Sequence, residues 1–359
     1  MLSWFRRYLL PGLVFQSMCI AGGYGTGREL VEFFLNYGPL GGYFGMVMAT
    51  IVVSLVCMVG YELARITRTY DYRSFLRILL GPAWIIYELA YIVTILLILA
   101  VLGSATGAIF TETFGLSAMF GTVLLLFSIA LLAFLGSKVI EGVMSFWSFV
   151  LYALYIAVFA LSIKMFGPVI AETLKASTAE PGWMSSGIRY GAMQLGLLPA
   201  ILFSTVYIQR RKEALIAGAL TGPLLMIPAA LFFAALVANY PDILQRPVPM
   251  NQILEALDSP VLFYLFPIVL IGTFIETGTG MIHALNERIA NAFTAAGRTL
   301  HNWIRPVIAV AMIITAILMS RWGIIDLIAV GYNFMAWVFV LVVVVPVLTV
   351  GLWKVLCRM

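Results

Sequence analysis

The residues best suited to chemistry lie in the stretch 21–34, Ala-Gly-Gly-Tyr-Gly-Thr-Gly-Arg-Glu-Leu-Val-Glu-Phe-Phe, inside the first long apolar run. Its first half combines small and hydroxyl-bearing residues: Gly22, Gly23, Tyr24, Gly25, Thr26 and Gly27. Its second half carries three ionisable side chains: Arg28, Glu29 and Glu32. In hydrocarbon, unwound backbone and charged side chains each cost several kcal/mol unless they face protein or a water-filled cavity. The pattern therefore predicts a broken membrane helix that lines a binding site.

Such a break offers two kinds of contact. Amides at the start of its second half-helix would form a partly positive pocket for a solute carboxylate. Carbonyls that end the first half, from Ile20 to Gly23, can coordinate a cation. Arg28 and Glu32 are four residues apart and can pair. Together with Glu29 they are candidates for an extracellular gate. Alternatively, Glu29 is a candidate proton carrier. The alternatives are glycines that only permit close helix packing and charges that are merely solvated near the outer surface.

A second polar stretch, 272–287, lies in a later apolar run. Thr277 and Thr279 provide hard oxygen donors for a sodium ion, or else bond back to carbonyls of their own helix. Glu276 is a candidate proton site, because a carboxylate near the middle of a membrane span must be neutral, paired or beside a cation. Spacings of four, three and four place it on one helical face with three other residues: Gly280, His283 and Glu287.

The composition is 63% hydrophobic and only 10% charged, whereas soluble domains carry about 25% charged residues. Apolar runs of about 20 residues recur along the chain and are long enough to cross a bilayer. The net charge of +5 arises mainly from short basic loops, so it indicates membrane topology rather than nucleic-acid binding. The three cysteines lack CxxC spacing. We expect that the protein is not an enzyme and that it has no bound cofactor and no transition-metal site.

The apolar runs predict ten helical spans in an all-α polytopic membrane protein. Their approximate ranges are 9–35, 40–63, 84–110, 119–135, 139–163, 187–207, 214–237, 261–285, 307–319 and 325–353. Lys and Arg are about three times as frequent in the loops on one side, which predicts both termini in the cytoplasm. We expect residence in the cytoplasmic membrane; the oligomeric state stays open.

Ten spans divide into two halves of five, 1–165 and 187–359, joined by an extracellular segment 166–186. Since five is odd, the second half would enter the membrane inverted, and its first helix should be broken as well. In the sixth span, Gln194, Gly196 and Pro199 interrupt the apolar run. Matching weak points in two halves point to a transporter site. Further polar candidates for its lining are Tyr87, Tyr91, Ser104, Thr106, Tyr332 and Asn333.

This plan resembles the LeuT fold of the amino acid–polyamine–organocation superfamily, with broken first and sixth helices. The stretch 21–34 is similar to the first-helix signature of YkvI-like bacterial membrane proteins. The resemblance implies an inverted-repeat transporter in which the first and eighth helices hold sodium, here near Thr277 and Thr279.

The sequence therefore predicts a secondary transporter of a small polar solute, amino-acid-like or a carboxylate, that works by alternating access. Coupling through sodium at the first and eighth helices and coupling through protons at Glu276 both stay open. The alternative function is a solute sensor on the same scaffold that binds without transport.

Overall fold

The computed structural model describes residues 2–20, 22–135, 137–295, 301 and 303–357, and all regular structure within them is helical. Six of these helices are long and apolar enough to cross a membrane, and a helix pair bent by 41° within 183–207 is a seventh candidate. Shorter apolar helices occupy the predicted first, fourth and ninth spans. The predicted all-α, ten-span class is confirmed.

The helices forming the spans are, in chain order: first, Leu2–Tyr8, Leu10–Cys19, Gly22–Thr26 and Arg28–Phe33; second, Pro39–Thr67; third, Trp84–Phe114; fourth, Ala118–Leu135; fifth, Ser137–Ala176; sixth, Trp183–Leu195, Leu198–Ile201 and Leu202–Tyr207; seventh, Arg211–Val237; eighth, Pro260–Ala295; ninth, Ile304–Ser320; tenth, Ile324–Cys357. Two shorter helices lie in connections, Tyr72–Leu80 after the second span and Pro249–Ala256 before the eighth.

The fifth helix differs from its prediction. We expected it to end near residue 163 and a polar segment to follow, but it continues through Pro168 to Ala176. Ser162 and Ile170 are buried and Phe166 and Leu174 half-buried, so residues spaced by four form one inward stripe. The irregular connection to the sixth span is therefore limited to 177–182.

The spans form two packed groups. In the first, which we call the bundle, the second span packs along the sixth and seventh, and the seventh along the first. In the second, which we call the scaffold, the third, fourth, eighth and ninth spans pack on one another.

Contacts between loops place the connections on two opposite faces. On one face, Arg7 pairs with Glu213 at 2.9 Å, and Arg65 donates to the Gln209 carbonyl at 3.3 Å. The N-terminal helix, the end of the second span and the sixth-to-seventh connection therefore meet there, on the predicted cytoplasmic face. On the other face, the Glu180 amide donates to the Tyr37 carbonyl at 3.0 Å. The connections after the first, second, fifth and sixth spans thus alternate between faces as the ten-span topology requires.

Small residues allow the second and seventh spans to approach closely. Gly218 and Gly222 are four residues apart, and a Cβ at either would overlap the backbone or side chains of the second span. The Ser54 hydroxyl donates to the Ala219 carbonyl at 2.9 Å across the same contact. Small residues spaced in this way are a common basis for helix association in membranes.

We predict that Gly218→Ala destabilises the protein by about 1–3 kcal/mol, because the added methyl group overpacks against the Met58 backbone. Thermal unfolding of the purified protein in detergent measures this change. The matched control is Gly167→Ala, since a Cβ at Gly167 meets nothing within 4 Å; it should be neutral or slightly stabilising. Equal effects of both substitutions would contradict the packing argument.

Candidate solute and ion site

Both predicted helix breaks are present. The first span leaves helical geometry at Ile20 (φ −78°, ψ 80°), immediately before Ala21, which lies outside the described residues. A single turn, Gly22–Thr26, follows, and Gly27 adopts a left-handed conformation (φ 83°) before the outer segment begins. The sixth span is interrupted between Leu195 and Leu198, where it bends by 41°. Gly27 is a position that a residue with a Cβ would strain.

The two breaks meet at a cavity of about 20 Å³, room for about one water molecule. Its walls come from the first, third, sixth and tenth spans: Met18, Cys19, Glu29, Thr94, Ile98, Met193, Gln194, Gly196, Leu197, Tyr332 and Phe339. The predicted pocket residues Gln194, Gly196 and Tyr332 are thus brought together here. No basic side chain is among these described lining residues.

Glu29, which we predicted to belong to an outer gate, faces this cavity and is only 3% exposed. Its carboxylate accepts a long hydrogen bond from the Gln194 side-chain amide (3.5 Å) and lies within hydrogen-bonding reach of the Tyr24 amide. A Cβ added at Gly23 would overlap the carboxylate. The side chain therefore folds back over the glycine turn and occupies the amide pocket predicted for a solute carboxylate.

Hydroxyl groups satisfy several carbonyls at the breaks. Thr26 donates to the Gly23 carbonyl at 2.9 Å, and Tyr155 of the fifth span donates to the Gly25 carbonyl at 3.0 Å. At the sixth-span break, the Tyr87 hydroxyl donates to the Gly196 carbonyl at 2.8 Å. Neighbouring spans thus hold the two breaks in place.

Other predicted pocket residues lie elsewhere. Tyr24 is buried with its ring against Phe232. Tyr91 stacks on Tyr87 and lies 3.8 Å from the guanidinium carbon of Arg288. Ser104 lines a separate cavity of about 440 Å³ between the third and fourth spans and the ninth-to-tenth connection.

The eighth-span residues do not line the central cavity in the described part of the chain. The Thr279 hydroxyl donates to the Ile275 carbonyl of its own helix at 2.7 Å, which is the alternative geometry considered for the threonines. Thr277 and Glu276 are half-buried. The face predicted for Glu276 includes an exposed histidine, His283, so it is not the buried face of this helix.

Arg28 is buried on the predicted outer side of the first-span break. Its side chain is 3% exposed and donates to the carbonyls of Leu244 and Arg246 at 2.6 Å and 3.3 Å. The predicted pairing with Glu32 is present but long, at 3.4 Å. Arg28 thereby joins the first span to the seventh-to-eighth connection, whose Asn251 donates to Glu112 of the third span at 2.7 Å.

Sequence reasoning did not assign a role to two arginines. Arg189 on the sixth span donates to Asn333 Oδ1 of the tenth span at 2.6 Å and to the Tyr37 hydroxyl at 2.8 Å. Arg288 on the eighth span lies between the rings of Tyr72 and Tyr91, each 3.8 Å from its guanidinium carbon. The available signal was a charge at the edge of an apolar run, which does not reveal the partner.

No family model matches the chain. It is 25% identical over 320 residues to the membrane protein YkvI of Bacillus subtilis (strain 168), with 86% of each chain covered. The solved structure of MhsT in complex with L-phenylalanine superposes with a TM-score of 0.61 at 16% identity, covering 95% of this chain and 86% of MhsT. The Eremococcus coleocola manganese transporter superposes with a TM-score of 0.55 at 18% identity, covering 96% and 78%. The chain is therefore similar in sequence to the membrane protein YkvI over most of its length and has the LeuT fold.

Proposed function

We propose that this protein is a secondary active transporter that moves a small polar organic solute by alternating access, coupled to a cation gradient. The observation that supports the proposal most directly is the cavity where the two broken spans meet, with the buried Glu29 carboxylate in its wall. Broken helices that meet near the bilayer midplane are the usual site construction of such transporters. The solute would bind there while the bundle rocks against the scaffold.

The second candidate is a sensor that binds a solute on the same scaffold without moving it. Proteoliposomes separate the two functions. A transporter accumulates labelled solute when a sodium or proton gradient is imposed, whereas a sensor shows saturable binding and no accumulation.

For coupling, the geometry favours protons over sodium. The candidate sodium ligands include the Gly23 carbonyl and the Thr279 hydroxyl, which bond within their own spans, and no eighth-span residue lines the cavity in the described part of the chain. The Glu29 carboxylate, in contrast, faces the cavity. A buried carboxylate at a solute site is typical of proton-coupled transporters.

We predict that Glu29→Gln lowers proton-driven accumulation at least tenfold, because the amide keeps the size of the side chain but cannot carry a proton. Uptake into proteoliposomes is measured with a pH gradient, with a sodium gradient and with neither, using a mixture of labelled amino acids and amines. Glu287→Gln is the matched control, since Glu287 pairs with Arg305 at 3.0 Å away from the cavity.

Two further variants test the other coupling sites. If Glu276→Gln, and not Glu29→Gln, removes the response to pH, the proton site lies on the eighth span. If uptake follows the sodium gradient and Thr279→Val abolishes it, sodium is the coupling ion and Glu29 has another role.

The Arg28 contacts support a gating role for this residue on the predicted outer side. Its guanidinium is buried and donates to backbone carbonyls of a connection rather than to a closely paired carboxylate. These bonds release when the connection moves away, and water can replace each acceptor.

We predict that Arg28→Met frees the connection 239–259, because loss of a buried charged donor costs about 1.5–3 kcal/mol. Amide hydrogen exchange in residues 242–256 should accelerate at least tenfold. Arg246→Met is the control, since Arg246 contributes its backbone carbonyl to the contact and its side chain is exposed. Unchanged exchange in the Arg28 variant would show that other contacts hold the connection.

A further inference from the structure

The position of Glu29 bears on the charge of the solute. A glycine-rich break normally offers free amides to an anionic group. Here the Glu29 carboxylate lies over that turn, within reach of the Tyr24 amide and against Gly23. A solute carboxylate would have to displace a carboxylate that belongs to the protein.

The nearby arginines do not offer another place for a carboxylate. Arg28 is directed to the Leu244 and Arg246 carbonyls, and Arg189 to Asn333 and Tyr37. In the described cavity wall no side chain is basic.

A cationic group would find complementary contacts in the same cavity. The Glu29 carboxylate supplies the opposite charge, and the Gln194 side chain lies beside it. Tyr332 and Phe339 form part of the wall, and aromatic rings attract ammonium groups.

We infer that Glu29 binds, in turn, a proton and the ammonium group of an organic cation, so that the transporter exchanges one for the other. The inference rests on the proposed transport function and specifies the cargo of its site. A single buried carboxylate neutralises one positive charge at a time. When R–NH₃⁺ binds at the protonated Glu29, the carboxyl proton leaves to the side from which the cargo came; on the opposite side a proton replaces the cargo.

Three other titratable groups interact electrostatically with Glu29: Cys19 on the first span, Tyr190 on the sixth and Tyr332 on the tenth. The third span contributes the non-ionisable residues Thr94 and Ile98 to the cavity. On its own helix, Arg28 and Glu32 pair with each other toward the outer face. A thiol and two phenols ordinarily ionise above neutral pH, and Glu29 is the only carboxylate among the described residues that line the cavity.

The test uses matched probes on the purified full-length protein. Thermal stability in detergent is measured with phenethylamine, L-phenylalanine and 3-phenylpropionate, and with the smaller set ethylamine, L-alanine and propionate. We expect an amine to stabilise the protein most, the amino acid less and the acid not at all. As the pH rises, the amine concentration that gives half of the maximal stabilisation should fall, by up to about tenfold per pH unit, over the range in which protons compete with the amine for Glu29.

Variants assign the effect to the carboxylate. Glu29→Gln should lose both the stabilisation by amines and its pH dependence. If Glu29→Gln folds poorly, Glu29→Asp provides a second test and should keep the pH dependence, because it keeps a carboxylate. Glu287→Gln should behave as the unmodified protein. Stabilisation by the acids, no stabilisation by any amine, or an unchanged amine response in Glu29→Gln overturns the inference.

Flux separates this inference from the proposed function. If the protein accumulates amino acids but not the corresponding amines, the proposed transport function stands and the cation-exchange inference is overturned. Amine binding with the expected pH dependence but no exchange above that of protein-free vesicles would leave Glu29 as the cation site and overturn the transport function on which exchange depends.

Discussion

A backbone that unwinds inside a bilayer must find partners for its amides and carbonyls, because no water is available to the groups it frees. In the part of the chain that the structure describes, two spans unwind, and side chains from other spans bond to carbonyls that these breaks free. Tyr155 and Tyr87 donate to carbonyls of the first and sixth breaks, from the fifth and third spans respectively. Because each unsatisfied group would cost several kcal/mol, these hydroxyls fix the positions of the breaks and hence of the cavity between them.

Much of the fold is predictable from the sequence for a simple reason. Hydrophobic length determines where a helix can cross the membrane, and glycine or proline within such a run marks where it can break. Gly27 and the pair Gly196 and Pro199 are signals of this kind, and both breaks occur there. The fifth helix was predicted too short, since Lys164 and Pro168 suggested a loop, although the stripe from Ser162 to Leu174 already had helical spacing.

The site was less predictable, because its residues depend on the rotation of each helix about its axis. Arg28 and Glu29 are adjacent, yet one is directed to the outer connection and the other to the cavity. Successive residues of an α-helix differ in direction by about 100°, and the left-handed conformation of Gly27 sets the orientation of the helix that carries both residues. In the same way, Ser104 has the composition of a pocket residue but lies in a different cavity. Only the placement of helices against each other decides such questions, and a single sequence does not contain it.

The distribution of polar contacts is suited to rocking of one body against the other. The ion pairs Arg7–Glu213 and Glu62–Arg65 lie within the bundle, and Glu88–Arg288 and Glu287–Arg305 lie within the scaffold. Movement of the two groups against each other leaves these four pairs intact. Among the described contacts, the Tyr87 hydroxyl of the scaffold donates to the Gly196 carbonyl of the bundle. Arg189 of the bundle donates to the Asn333 amide oxygen of the tenth span. Both acceptors are neutral. A neutral hydrogen bond contributes only about 0.5–1.5 kcal/mol net and one with a charged donor about 1.5–3 kcal/mol, so a few of them can be exchanged for water without a large barrier. In the proposed transport cycle, the strong electrostatic contacts would keep each body rigid, and the weaker ones would allow the cavity to open alternately to either side.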